Sequence, residues 1–390
     1  MRVVDVTNVL AGPFCSYQLA LLGAEVIKIE QPGSGDLARR LGADPEAATR
    51  GMGASFVAVN AGKQSVTLNL KKPAGKRILK QLAAESHVVL ENFRPGVMKR
   101  LGLDYEVLSA INPRLIYCAI SGFGQQGPLA MRPAYDQIIQ GMSGVMSVTG
   151  DERSAPLRVG YPVCDTVGGL TAAFAICAAL VEAQKTGRGR MIDVSMLSAT
   201  LATMGWVVSN YLNASVDPIP MGNENFTAAP SATFRTKDGL LNIAANETYQ
   251  YEILCDLIGR SDLKTDSRFC DRHVRKQNRA LINQEVQRVL LERTAVEWEA
   301  LLSEAGVPAG RVMTVPEILS HPHVRQAQFV NSIDGQDGKQ HITNTGFRFS
   351  DEEIAPAGPA PPLSAHTDEW LRKLGYDLQQ IEALRNDGTV

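Results

Sequence analysis

Residues 1–30 read MRVVDVTNVLAGPFCSYQLALLGAEVIKIE, and this stretch decides the fold. The apolar run at residues 3–7 predicts a strand, and residues 26–30 predict a second one. Between them, Gly12-Pro13 opens a helix that continues to about residue 22. Proline suits the first turn of a helix because its missing N–H would lack a partner there anyway. The stretch therefore predicts a strand–helix–strand unit.

The same alternation continues to about residue 125. Apolar runs at residues 65–70, 88–90 and 115–120 predict three more strands. Residues 73–84 predict a helix with apolar side chains spaced along one face. Apolar strands that alternate with helices are typical of a parallel sheet, so we expect an α/β, doubly wound fold.

Two long apolar stretches follow. A helix rich in small residues is expected from about residue 167 to 182, ending at the glycines of TGRGR (186–190). Residues 194–216 carry no charge and predict a further helix. This stretch contains eight Ser, Thr and Asn residues, which is more than a membrane-spanning helix usually carries. We therefore expect it to be buried in protein, for example at a subunit interface, and not in a membrane.

The remainder predicts a second, smaller α+β unit. Pro218, Pro220 and Gly222 indicate a linker, and residues 240–245 predict a strand. Helical patterns then run to Ala305. The proline-rich stretch at 355–362 is expected to be extended, before a last helix at 368–374.

Composition excludes several classes of protein. The chain has 390 residues, enough for two or three domains, and a net charge of −2 without a basic stripe, so nucleic acid is not an expected partner. The six cysteines are scattered without a C-x-x-C pair, which argues against a zinc or redox motif and indicates a reducing, cytoplasmic location. The first residues do not have the pattern of a signal peptide.

Three short motifs carry little weight. Residues 122–127 match G-x-G-x-x-G, but Pro128 follows and no helix opens there, so a plain loop is favoured over a dinucleotide site. His321 and His323 lie two residues apart without a third clustered ligand, which is more typical of a surface turn than of a metal site. The chain contains no G-x-S-x-G hydrolase motif.

Asp165 allows two interpretations. It stands in GYPVCDTVGG (160–169), at the start of the small-residue helix. Aspartate is a favoured helix cap, worth about 1 kcal/mol. Carboxylates are also covalent nucleophiles, the helix dipole favours their ionised form, and Gly168 and Gly169 let other groups approach closely. Position alone leaves both interpretations open.

Eight segments resemble one family along nearly the whole chain. The chain resembles the class III, or CaiB/BaiF, CoA-transferases, the formyl-CoA transferase type. The matching segments are residues 5–36, 62–76, 91–105, 132–144, 160–169, 186–196, 306–312 and 363–376.

The resemblance assigns roles to individual residues. It implies that Asp165 is the catalytic nucleophile and that Asp136, beside Tyr135, is a second carboxylate. It places possible substrate-site residues at Asp136, Gly222 and Asn223. It implies CoA-binding positions at Leu10, Ala11, Gln31, Leu68, Lys71, Asn92, Phe93, Arg94, Arg100, Arg132 and Tyr135.

The chain also departs from the family pattern. Some relatives carry a histidine in place of Asn8 and a glutamine in place of Leu10. The glycine-rich lid of formyl-CoA transferase is missing, and residues 221–226 read MGNENF instead. These departures argue against formyl-CoA and oxalate as substrates of this protein.

The resemblance implies an interlocked homodimer and a large domain built from both chain ends. We expect the N-terminal part of a Rossmann-like CoA-binding domain at 1–205 and a linker with a buried helix end at 206–225. A small domain is expected at 226–320. A return linker and the rest of the large domain are expected at 321–390. No metal or cofactor is implied beyond the CoA thioester that serves as substrate.

The implied activity is transfer of CoA from an acyl-CoA, such as succinyl-CoA, to a small carboxylic acid, favoured to be a dicarboxylic acid. An acyl-CoA racemase of the same superfamily is an alternative. Those relatives use a histidine, and no histidine lies between His87 and His273 here. A non-catalytic acyl-CoA-binding protein is the third possibility.

Overall fold

The computed structural model describes residues 1–351 and 353–390, which form two compact units. The larger unit contains residues 1–145, 158–216 and 325–390, and therefore both ends of the chain. The smaller unit contains residues 146–157 and 217–324.

The strands of the described residues form three sheets. They are β1 (Arg2–Asp5), β2 (Glu25–Glu30), β3 (Gln64–Thr67), β4 (Val88–Glu91), β5 (Ile116–Ser121), β6 (Met191–Ser195), β7 (Ser231–Arg235), β8 (Leu240–Ala244), β9 (Ala309–Arg311), β10 (Val330–Gly335) and β11 (Gly338–Thr343).

Helices connect and cover these strands. They are α1 (Ala11–Leu21), α2 (Pro45–Thr49), α3 (Ala54–Val57), α4 (Pro73–Ala84), α5 (Val97–Leu101), α6 (Tyr105–Ile111), α7 (Asp136–Met142), α8 (Val163–Thr186), α9 (Met196–Thr203), α10 (Gly205–Ala214), α11 (Thr248–Leu257), α12 (Arg272–Gln277), α13 (Arg279–Leu290), α14 (Ala295–Glu304), α15 (Val315–Ser320), α16 (Pro322–Gln326), α17 (Thr367–Lys373) and α18 (Leu378–Asn386).

The central sheet has six parallel strands in the order β3-β2-β1-β4-β5-β6. The chain runs from β1 to β2 and β3 on one side, then returns to place β4, β5 and β6 on the other. The expected α/β fold with a parallel sheet is confirmed. In such sheets, ligands bind beyond the carboxyl ends of the strands at the point where the order reverses, which is here between β1 and β4.

Both faces of this sheet are covered. Val4 and Val89 belong to the apolar cluster that includes α4, whereas Val3 and Val88 belong to the cluster that includes α1 and α8. Successive side chains of a strand point to opposite faces, so a strand that is buried on both faces is apolar throughout. The strands were visible in the sequence for this reason.

The smaller unit has its own core. Strands β7, β8 and β9 form an antiparallel sheet, and Phe234, Leu254 and Trp298 are buried together against it. The indole N–H of Trp298 donates to the Leu290 carbonyl oxygen at 3.0 Å.

The expectation of one continuous helix at residues 194–216 is wrong. Val194 and Ser195 lie in β6, and the helical part is split into α9 and α10 around Met204. Every residue of α10 is at least partly exposed in the single chain, and Trp206 is 81% exposed. An uncharged stretch indicates that a surface prefers to be covered, but it does not say whether its own chain covers it.

Helix α8 is the one helix in the described residues that is long and apolar enough to cross a bilayer, judged by length and composition alone. It has 24 residues and packs against α1, α7 and α9. Its expected start near residue 167 is too late by one turn, since α8 begins at Val163. The last expected helix corresponds to α17, and α18 was missed.

Candidate active site

A cleft of about 300 Å³ opens where the strand order reverses. The segments that follow β1, β4 and β5 form its walls, as the sheet topology predicts. Of the site residues predicted from the sequence, this cleft brings together Leu10, Ala11, Asn92, Phe93, Arg94, Arg132, Tyr135 and Asp165.

Other predicted positions lie elsewhere. Gln31 and Leu68 follow β2 and β3 in the larger unit, outside this cleft. Lys71 and Arg100 are exposed near the start of α4 and within α5. Gly222 and Asn223 belong to the smaller unit.

Asp165 does not cap α8. The cap position belongs to Pro162, and Asp165 lies within the first turn, where its side chain makes no capping hydrogen bond. The carboxylate is half-buried and lines the cleft, without a hydrogen-bond donor from the described residues. The capping interpretation is therefore wrong, and the carboxylate is directed toward a space that a ligand can occupy.

Asp136 caps α8 instead. Its Oδ1 accepts the backbone N–H of Cys164 at 2.8 Å and that of Asp165 at 3.4 Å. The side chain is buried at the first position of α7, directly behind the nucleophile candidate. Asp136 thus acts on the start of α8 from a neighbouring helix.

The ionised form of Asp165 is disfavoured. Burial and the nearby Asp136 carboxylate raise the pKa of Asp165 to about 7. The α8 dipole was expected to stabilise the charged form of Asp165, but burial and the Asp136 charge outweigh its effect. Asp136 already accepts the N–H groups of Cys164 and Asp165 at the start of α8. A carboxylate that is held out of water and is more basic is also a stronger nucleophile when it is ionised.

Gly169 lets α1 pack closely against the first turns of α8. A Cβ atom at residue 169 would lie 2.6 Å from the Ala11 carbonyl oxygen, so only glycine permits the observed packing of α1 on α8. At residue 168 a Cβ would meet the Met196 Cγ at 3.1 Å. The expectation that Gly168 and Gly169 allow close approach is confirmed, and it places Leu10 and Ala11 at the cleft with Asp165.

The first turn of α1 supplies donors. Leu10 occupies the cap position and its side chain cannot accept the free N–H groups. Since the first backbone N–H groups of a helix lack intrahelical partners, that of Ala11, which lines the cleft, is available there. Such groups bind developing negative charge on oxygen.

A buried ionic network holds the loop before α1. Val9 has a φ of 69°, a left-handed conformation that is rare for a β-branched residue. Its N–H donates to Asp36 Oδ1 at 3.0 Å, and Lys28 Nζ lies 2.8 Å from Asp36 Oδ2. Lys63 Nζ pairs with Asp5 at 3.1 Å, and all four charged side chains are at most 1% exposed. Strained backbone of this kind is characteristic of functional sites.

The sequence interpretation missed several wall residues. Asn8 and Asn92 join the loops after β1 and β4: the Asn8 N–H donates to Asn92 Oδ1 at 2.9 Å, and Asn92 Nδ2 donates to the Asn8 carbonyl oxygen at 2.8 Å. The rule that sites lie beyond strand ends would have found Asn8. The wall residues that had not been predicted are Asn8, Val9, Leu37, Pro95, Ile120, Ser121, Gly122, Ala130 and Met196.

A group of three or more metal-ligating side chains was not found in residues 1–351 and 353–390. The fold and cleft define an α/β protein with a half-buried carboxylate, Asp165, at the switch point of the sheet. The chain belongs to CoA-transferase family III, whose family model matches residues 1–367, and it is a CoA-transferase.

Known proteins are similar over most of the chain. The "Succinyl-CoA:glutarate CoA-transferase" of Mus musculus is 36% identical over 392 residues, which cover 100% of this chain and 89% of the mouse chain. The "Acetyl-CoA:oxalate CoA-transferase" of Acetobacter aceti is 41% identical over 323 residues, which cover 83% of this chain and 82% of that one. A crystal structure of a CaiB/BaiF family protein from Brucella suis has a TM-score of 0.84 and 34% identity, covering 96% of this chain and 98% of that chain.

Proposed function

We propose that this CoA-transferase moves CoA from an acyl-CoA donor, such as succinyl-CoA, to a small dicarboxylic acid, with Asp165 as the covalent nucleophile. The observation that carries the proposal is the half-buried Asp165 carboxylate in the cleft, beside the free N–H groups of α1. The names of the mouse and Acetobacter relatives both give a dicarboxylate as acceptor, glutarate and oxalate.

The first half of the reaction loads the enzyme. An Asp165 oxygen attacks the carbonyl carbon of the acyl-CoA, the C–S bond breaks, and a mixed anhydride and CoA thiolate form. The thiolate then attacks the aspartyl carbonyl carbon, which releases the donor carboxylate and leaves an aspartyl-CoA thioester.

The second half repeats these steps with the acceptor. The acceptor carboxylate attacks the aspartyl thioester, CoA thiolate leaves, and a second anhydride forms. The thiolate attacks the acceptor acyl carbon, which gives the new acyl-CoA and restores the Asp165 carboxylate. Each attack creates an oxyanion, and the N–H group of Ala11 is the proposed donor.

We propose that no cofactor takes part. Each step exchanges one anion for another, either a carboxylate for a thiolate or a thiolate for a carboxylate. The series of reaction steps therefore needs no net proton transfer. Water must be kept from the anhydrides, which hydrolyse. Buried apolar walls such as Met196 serve this exclusion.

Cations are proposed to hold CoA. Arg94 and Arg132 line the cleft, and guanidinium groups suit phosphate and carboxylate oxygens. Lys71 and Arg100 are exposed farther along the larger unit, and we propose that they, with Gln31 and Leu68, contact the nucleotide part. Gly222 and Asn223 remain proposed substrate-site residues.

We further propose that two chains form an interlocked homodimer, with a large domain made from both chain ends and an inserted small domain. The presence of both chain ends in one unit supports this layout. Exposed apolar side chains on α8 and α10, among them Phe174 at 71% and Trp206 at 81%, support a partner surface.

Covalent trapping tests the proposed chemistry. The enzyme is incubated with succinyl-CoA without an acceptor, and the adduct is captured with hydroxylamine or borohydride and located by peptide mass spectrometry. We expect it on the peptide that contains Asp165, and a screen of acceptors should give new thioesters with dicarboxylates. An unlabelled enzyme, or turnover of monocarboxylates alone, would contradict the corresponding part of the proposal.

A further inference from the structure

Gln140 lies one helical turn after Asp136 in α7, and its side chain is fully buried. Its Nε2 donates to Asp136 Oδ2 at 2.7 Å and to the Tyr161 carbonyl oxygen at 3.2 Å. Its Oε1 accepts the Val159 N–H at 2.8 Å. Both donors and the acceptor are used, and a flipped amide would place Oε1 against two acceptors, so the side chain has one allowed orientation.

These three hydrogen bonds connect α7 to the segment that leads into α8. Because Gln140 holds Asp136 Oδ2, the other oxygen of Asp136 is directed to the N–H groups of Cys164 and Asp165. Gln140 is absent from the walls of the cleft, so it has no direct contact with a ligand bound there. Its effect on the reaction must pass through Asp136 and the first turn of α8.

We propose that Gln140 is a positioning residue for the transfer reaction: by holding Asp136 against the first turn of α8, it fixes the direction of the Asp165 carboxylate and the strength of the Asp136 charge at that carboxylate. The inference rests on the proposed function, because it requires Asp165 as the nucleophile. It concerns a residue that neither the family pattern nor the sequence motifs singled out.

The electrostatic part follows from the same contacts. Burial and the neighbouring Asp136 carboxylate raise the pKa of Asp165, and the hydrogen bond from Gln140 holds that carboxylate in place. The hydrogen bond from Gln140 to Asp136 therefore keeps Asp165 basic, and Asp165 is still partly ionised at neutral pH. The other titratable groups on α1, α8, β5, β6 and the cleft walls are Cys15, Tyr17, Arg94, Tyr117, Cys118, Arg132, Tyr135, Cys164, Cys177, Glu182, Lys185 and Asp193.

Two substitutions test the hydrogen bonds of Gln140. Gln140→Met keeps the volume but removes all three hydrogen bonds, whereas Gln140→Glu keeps the shape and, protonated beside Asp136, can still donate to Asp136 Oδ2. We expect Gln140→Met to lower kcat by about tenfold or more, because a small misplacement of a reacting group is costly. The KM for acyl-CoA should stay within about twofold, because Gln140 lies outside the cleft walls.

The pH profile gives a readout that a purely structural role would not change. Gln140→Glu should leave the acid limb of kcat/KM close to its wild-type position, because a buried carboxyl beside Asp136 keeps its proton and can donate the same hydrogen bond. Gln140→Met should shift the acid limb downward, because Asp136 is then no longer held against the first turn of α8 and its charge lies farther from Asp165.

Gln250→Met serves as the matched control. Gln250 is also a buried helical glutamine, whose Oε1 accepts the Glu247 N–H at 3.0 Å, but it lies in the smaller unit. The Gln250→Met variant should have a lower melting temperature than wild type and an unchanged acid limb of kcat/KM. Wild-type kcat in Gln140→Met, an unshifted acid limb in Gln140→Met, or failure of both Gln140 variants to fold would overturn the inference.

The trapping experiment distinguishes a failure of the proposed nucleophile, Asp165, from a failure of the proposed role of Gln140. A wild-type enzyme that forms no adduct on Asp165 would refute the proposed nucleophile itself. Labelling of Asp165 in wild type, with labelling of the Gln140 variants at the wild-type rate, would refute only the role of Gln140.

Discussion

The carboxylate of Asp136 accepts the backbone N–H of Asp165 at 3.4 Å, so one carboxylate holds the peptide that carries the other. The same oxygen accepts the Cys164 N–H at 2.8 Å. Asp136 thereby takes the stabilisation that a helix start offers to an anion, and leaves Asp165 basic.

Asp165→Asn should abolish transfer and leave CoA binding largely intact, because no neighbouring group can replace the nucleophile. Cys164→Ala is the matched control: burial raises the pKa of the Cys164 thiol, which makes it a poor nucleophile, so this variant should keep its label on Asp165. Transfer assays and isothermal titration with CoA measure the two effects. Near-normal transfer by Asp165→Asn would remove the mechanism.

The same substitution should stabilise the fold. The pKa of Asp165 is raised to about 7 in the folded protein, against about 4 when unfolded, so folding stability falls as pH rises from about 4 to about 7. Asp165→Asn removes this penalty and should gain on the order of 2 kcal/mol at pH 7. Urea unfolding at about pH 4 and pH 7 checks it, since the gain should vanish at the lower pH.

Asp136→Asn should move the acid limb of kcat/KM to lower pH. Wild-type activity should rise through a pKa near 7, because Asp165 acts in its ionised form. Removing the Asp136 charge lowers that pKa. Asp44→Asn, a change at an exposed helix cap, should leave the limb in place. An unshifted limb in Asp136→Asn would show that the two carboxylates are not coupled.

Asp36→Asn should destabilise the larger unit by about 3 kcal/mol, because it removes a buried partner of Lys28. It should also lower kcat, since Asp36 holds Val9 in its left-handed conformation. Asp44→Asn again provides the comparison, because asparagine caps a helix as well as aspartate does, and its effect should stay below about 0.5 kcal/mol. Equal effects of the two substitutions in urea unfolding would contradict the role of the buried network.

The proposed homodimer should not dissociate on dilution without unfolding. Trp206→Glu, at a side chain that is 81% exposed in the single chain, should lower the yield of folded dimer, because the charge would be buried at the interface. Leu378→Glu, at a 67% exposed position on α18, should have no such effect. Mass photometry at nanomolar concentration measures the assembly, and a folded monomer there would contradict interlocking.

Local patterns were sufficient for the sheet but not for the role of Asp165. A strand buried on both faces must be apolar along its length, so β1, β2, β4 and β5 could be read directly from residues such as Val3 and Val88. The segment around Asp165 left a helix cap and a nucleophile open, and the family resemblance favoured the nucleophile.

Long-range contacts decided the remaining features. Lys63 pairs with Asp5 across 58 residues, and Asp136 meets the N–H of Cys164 across 28 residues, although nothing within either segment indicates its partner. These contacts depend on how α1, α7 and α8 cross, and periodicity reports the burial of a face but not the group that covers it. The capping of α8 by Asp136, the orientation of Gln140 and the exposure of α10 were therefore accessible only once the chain had folded.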